Sequence, residues 1–190
     1  DLHFHSGNPP MVRFEGDPEV HVLRPVMAAG GGEIYRTEDG DVMLRVTPHG
    51  GIIVYTRSLR TGAPASEEAS VAPLTPEAIA FAEMQERFRR LQAQARRSVG
   101  QPVTFTVPAQ MTAPAAGVVL DAAERAAEGL AAAPMTNVRR VVITFGNAPA
   151  VAQRGDILFI QVAPQLGYAG RPSSNTIRNV VSGTVQGPEQ

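Results

Sequence analysis

Between Met11 and Arg57, apolar side chains fall mostly on every second position, the period of a half-buried strand. Met11-Val12-Arg13-Phe14-Glu15 alternates, and Glu19–Leu23 sets Val20 and Val22 on one face and His21 and Leu23 on the other. Gly16-Asp17-Pro18 between them has turn chemistry. Three further runs, Glu33–Thr37, Asp41–Thr47 and Gly51–Arg57, read as strands. Asp39-Gly40 is a hairpin signal, because a type I′ turn needs positive φ at both central positions. His49-Gly50-Gly51 marks a second tight turn. Successive strands with short links imply an antiparallel meander over residues 1–57.

Residues 58–74, rich in Ala, Ser, Gly, Pro and Glu, read as a surface linker, after which the period changes. Thr75-Pro76-Glu77 has the chemistry of a helix start: a capping hydroxyl, Pro in the first turn, then an acid. Ile79, Met84, Phe88, Leu91 and Ala95 form the apolar stripe of a long amphipathic helix over 75–98, with Gly100 as its stop. Val103–Val107 reads as a short strand between Pro102 and Pro108. An Ala-rich helix is predicted over 114–132, its apolar face formed by Val119, Ala123, Ala126 and Leu130. Val138–Gly146 and Ile157–Ala163 are expected to pair as a hairpin with a long connection. A short helix over 173–182 and a frayed end over 183–190 complete the chain.

The predicted fold class is therefore α+β: an N-terminal antiparallel β-meander, one long amphipathic helix, an Ala-rich helix, a C-terminal β-hairpin and a short helix. A single domain over residues 1–190 is expected, divided into the meander (1–57), the linker (58–74) and the helices with their hairpin (75–190). In it, early and late strands pack against the long helix.

Composition removes chemistry from this picture. The 190 residues include no Cys, which excludes thiol nucleophiles, disulfides and thiolate metal sites. All 17 basic residues are Arg, which excludes Schiff bases, a phosphate-loop lysine and Ser–Lys hydrolysis. No cofactor is implied. A net charge of −1 and 5% aromatic residues argue against nucleic acid as a partner. No apolar run reaches the roughly 20 residues of a membrane span. The chain begins Asp1-Leu2-His3 with neither an initiator Met nor a basic-then-apolar leader, which fits a removed targeting segment or a trimmed start.

Arg13-Phe14-Glu15-Gly16-Asp17-Pro18-Glu19-Val20, Gly32-Glu33-Ile34-Tyr35-Arg36-Thr37-Glu38-Asp39-Gly40 and Met43-Leu44-Arg45-Val46-Thr47 together resemble a family of uncharacterised alphaproteobacterial proteins. Gly167-Tyr168-Ala169-Gly170-Arg171-Pro172-Ser173-Ser174 is similar to the C-terminal part of that family. The likeness covers the first third and last quarter of the chain, and the helical middle more weakly. It supplies no activity and no catalytic residue. It implies export, so a periplasmic or exported location is expected, with a cytoplasmic one as the alternative.

Gly170-Arg171-Pro172-Ser173-Ser174-Asn175 enters a helix, where amides are free, and adds a guanidinium and two hydroxyls. Arg171, Ser173, Ser174 and Asn175 are therefore an anion-binding candidate; the competing reading is a plain N-cap with Arg171 paired to a surface acid. His3 and His5 share a face if their segment is a strand, and with His21 would make a three-histidine metal site, against a frayed terminus pointing into water. Glu38-Asp39-Gly40-Asp41 lacks the ligand alternation of a calcium loop and reads as a turn. Gly30-Gly31-Gly32 precedes a strand, not the helix that a phosphate loop needs. Arg87, Arg89, Arg90, Arg96 and Arg97 crowd one helix, but Glu83 and Glu86 lie beside them, so a solvated face is expected. No Gly-x-Ser-x-Gly elbow is present.

The expected function is a non-catalytic exported binding or structural module for a protein partner or small ligand. The alternatives are a hydrolase-like enzyme using carboxylate or His/Ser residues, and a homo-oligomeric assembly protein.

Overall fold

In a computed structural model the described residues are 1–66 and 72–183. The chain divides into two compact units, Asp1–Leu74 and Thr75–Gln190. Mixed helices and strands make it an α+β protein. The two groups of strands form separate sheets.

The first unit consists of two antiparallel meanders. One joins β1 (Leu2–His5), β2 (Met11–Phe14) and β3 (His21–Val22). The other joins β4 (Arg24–Met27), β5 (Glu33–Arg36), β6 (Val42–Val46), β7 (Ile52–Val54) and β8 (Ala63–Ala65) in sequence order. Alternation places Phe4 opposite Val12, and Leu44 opposite both Tyr35 and Val54. These side chains meet in one core, where the Phe4 and Tyr35 rings pack edge-on at 5.1 Å. The segment expected as a linker over 58–74 contributes β8 to this sheet; its residues 67–71 lie outside the described ones, as do 184–190 of the expected frayed end. Pro25 and Pro64 stand on the two edge strands, where a missing N–H discourages further pairing.

The Asp39-Gly40 hairpin forms, but not as type I′. Gly40 has φ 90° and no non-glycine residue among the described ones has positive φ, so Asp39 cannot supply the second such position. Instead Gly40 N donates to Thr37 O (3.1 Å), and Asp41 N donates to Thr37 Oγ1 (3.1 Å). Thr47 repeats both bonds with Gly50 and Gly51. A type I turn closed by a glycine bulge asks for one left-handed residue where type I′ asks for two.

The second unit is a four-stranded sheet with helices on one face. Its order is β11 (Ala150–Arg154), β12 (Ile157–Val162), β10 (Arg140–Phe145), β9 (Thr104–Thr106). The expected hairpin between the strands at 138–146 and 157–163 is corrected: β10 and β12 run parallel, from Arg140↔Ile157 to Phe145↔Val162. The stretch expected as a loop supplies β11, which makes the hairpin with β12 through Gly155-Asp156. Strands β9 and β10 are also parallel, joined by the Ala-rich helix α2 (Ala113–Ala132) as a β-α-β crossover.

Helix α1 is Phe81–Val99, with Gly100 as its left-handed cap. The stripe Met84, Phe88, Leu91 and Ala95 is buried, but the helix does not begin at Thr75 as expected. Ile79 N donates to Ala113 O, and the Glu77 carbonyl lies so close to Gly117 that a Cβ there would sit 1.9 Å from it. That packing against α2 keeps residues 75–80 out of the helix past the local start signal. Helix α2 is capped by Thr112 and buried on most of its circumference. Helix α3 (Ser174–Val181) packs on it at Gly129, where a Cβ would meet Ser174 O at 2.7 Å. No helix among the described residues is long and apolar enough to cross a membrane.

Candidate functional site

Ser173 is the N-cap of α3: its Oγ accepts from Thr176 N (3.0 Å) and donates to Thr176 Oγ1 (2.9 Å). Ser174 and Asn175 open the helix, half-buried. Arg171 lies just before it with its side chain 1% exposed, and its Nε donates to Asp121 Oδ2 on α2. The same guanidinium sits 5.6 Å from the centre of the Tyr168 ring. The four candidate anion-binding residues are thus neighbours, but the Arg171 charge is opposed by a carboxylate inside the unit. The partner acid is 13% exposed, not a surface one.

Sequence reasoning missed the centre of this cluster. Arg125 is 1% exposed, within 3.8 Å of Asp121, 3.7 Å of Glu124 and 3.1 Å of Glu128. Its Nε and Nη1 have no hydrogen-bond partner among the described residues. Burial pushes the Glu124 carboxyl up and the charge on Asp121 adds to this, against the opposing pull of Arg125 and Arg87. The signal lay in Asp121-Ala-Ala-Glu124-Arg125-Ala-Ala-Glu128, where acids stand four before and three after the arginine. Two buried guanidinia among three carboxylates make a structural ion cluster tying α2 to the segment before α3.

The three histidines are not brought together. His3 pairs with Arg13 and His5 with Met11, on the face of β1 opposite Leu2 and Phe4. His21 stands opposite Val12, hence on the core-facing side, and its Nε2 lies 2.8 Å from Asp17 Oδ2. Among the described residues no group of three or more His, Asp or Glu is placed to hold a metal. Of the crowded arginines on α1, Arg87 pairs with Glu83, and Arg89 and Arg90 pair with Glu86.

The C-terminal sheet offers a different surface. Its inner residues Val141, Ile143, Leu158, Ile160 and Val162 share the helical core. Alternation sends the intervening side chains to the other face, in rows set by the register. One row is Arg140–Ile157–Arg154 and the next is Val142–Phe159–Ala152. Phe159 is 37% exposed between Leu158 and Ile160, both at 0%. Arg140 and Arg154 are exposed and in no ion pair among the described residues. No strand position on this face is Asp or Glu.

A family model described as a domain of unknown function, DUF4908, matches residues 4–181. The chain belongs to that family. The DUF4908 match runs through both compact units, so the meanders and the helix-backed sheet belong to one family unit. It agrees with the resemblance to uncharacterised proteins and assigns no activity. No curated protein and no solved structure matches the chain.

Proposed function

We infer that this DUF4908 chain is a non-catalytic binding module that presents the outer face of its C-terminal sheet to a protein partner. The observation that carries this reading is the row Val142–Phe159–Ala152, with Phe159 and Ala152 exposed and Val142 half-buried, on a sheet whose other face is filled by helices. An aromatic ring that keeps 37% of its surface in solvent at the middle of a regular sheet is suited to anchoring a partner. The Arg125–Asp121–Arg171 cluster belongs to the fold on the same reading, since its charges face each other inside the unit. An exported location is part of the proposal and rests on the family resemblance alone; fractionation of cells expressing the native gene checks it.

Selection from a random-sequence peptide library displayed on phage tests the reading. Clones enriched on the wild-type chain should be lost on the Phe159→Ser chain, whose retained fold is checked by circular dichroism and a cooperative thermal transition. The same clones enriching on both chains would refute a site at this face.

A further inference from the structure

Resting on that reading, we propose that the partner segment is extended and acidic: an apolar side chain sits on Phe159, and carboxylates meet Arg140 and Arg154. The register fixes the spacing. Arg140 and Arg154 flank Ile157 in one row across three strands, two strand spacings or about 10 Å apart. The Phe159 row lies two residues further along, about 6.7 Å away. In an extended segment running along the strands, side chains two positions apart span the same distance, so an apolar residue and an acid at i and i+2 reach both rows together.

Charge decides the partner's sign. The face carries two guanidinia with no ion-pair partner among the described residues and no acid at any strand position; Asp156, in the turn between β11 and β12, is outnumbered by Arg139, Arg140 and Arg154, although the chain as a whole has net charge −1. A local positive field on a near-neutral protein selects an acidic counterpart and repels a basic one. A second copy of the chain fits poorly, because a two-fold contact would bring two more arginines and no acid at a strand position. Single-stranded nucleic acid fits less well than a peptide: the neighbours of Phe159 in its row are Val142 and Ala152, which offer no second ring for the next base.

The Phe159-dependent phage clones supply the probes. They should carry an excess of Asp and Glu over Lys and Arg. The most enriched clone, as a labelled synthetic peptide, should bind the Arg140→Gln/Arg154→Gln chain about tenfold more weakly, since two exposed ion pairs are lost. Its affinity for the wild type should fall between about 50 and about 300 mM salt. Phe159-dependent clones without acid enrichment, bound equally by the double variant, would overturn this inference and leave the binding reading standing. Absence of any Phe159-dependent clone would overturn the reading, and the inference with it. Arginine-dependent binding of an oligothymidine tighter than that of the peptide would overturn the acidic-segment proposal in favour of nucleic acid.

Discussion

Arg171 and Asp121, 50 residues apart in the chain, form a nearly buried ion pair that fastens the segment before α3 onto α2. Both groups have left water, and each repays the other's desolvation only while both are present. Asp121→Ala would take from the buried Arg171 its carboxylate on α2, with an expected loss of about 3 kcal/mol. Urea unfolding followed by circular dichroism measures this. The pair Asp121→Leu/Arg171→Met, which removes both charges, should recover part of the loss, because Arg125 still loses its Asp121 contact at 3.8 Å. A double variant as unstable as the single one would contradict the pairing account.

Tyr35 gives a pH signature in the first unit. Burial, then the hydrogen bond from its hydroxyl to Glu33 Oε2 (2.6 Å) and the charge on that carboxylate, push the phenol from 10.0 up to about 12. The folded state therefore holds the proton more tightly than the unfolded chain. This contribution is fully present below 10 and is lost as pH rises through the interval up to about 12. The phenolate absorbance missing from a Tyr35→Phe chain isolates this group. Glu33→Gln should lower its midpoint, but not to 10.0, because burial is the larger cause. A midpoint that Glu33→Gln leaves unmoved would refute the contact.

Gly117 tests the lead segment of α1. In an exposed helix, Gly→Ala stabilises by about 1 kcal/mol. Here the new methyl would lie 1.9 Å from the Glu77 carbonyl oxygen, so residues 77–80 must move off α2. A net loss of about 1–3 kcal/mol is expected, the range for overpacking a tight contact. Thermal unfolding decides the sign, and a stabilised Gly117→Ala chain would show that the segment does not pack there.

The elements set by local rules were legible. The α1 stripe from Met84 to Ala95, the Gly100 stop, the Ser173 cap and most strands of the second meander follow from period and turn chemistry. Pairing was not. Residues 138–146 and 157–163 alternate equally well in a parallel or an antiparallel ladder, and Ala150–Arg154 has only Val151 as a sizeable apolar residue to announce a strand. Thr75-Pro76-Glu77 has sound helix-start chemistry that tertiary packing at Gly117 overrode. Spacing alone does not say which face His21 takes; pairing with Val12 turns it away from His3 and His5. The six residues of the two rows on the open face lie at readable strand spacing. Which face the helices leave open is fixed only by the fold.

A partner's footprint on the chain distinguishes the open sheet face from every other candidate surface. Backbone amide spectra of the isotopically labelled chain, titrated with the enriched peptide, resolve this residue by residue. Shifts concentrated at Arg140, Val142, Arg154, Ile157 and Phe159 are predicted. Shifts concentrated instead at Arg171–Asn175, or around His3 and His5, with the sheet unperturbed, would contradict it.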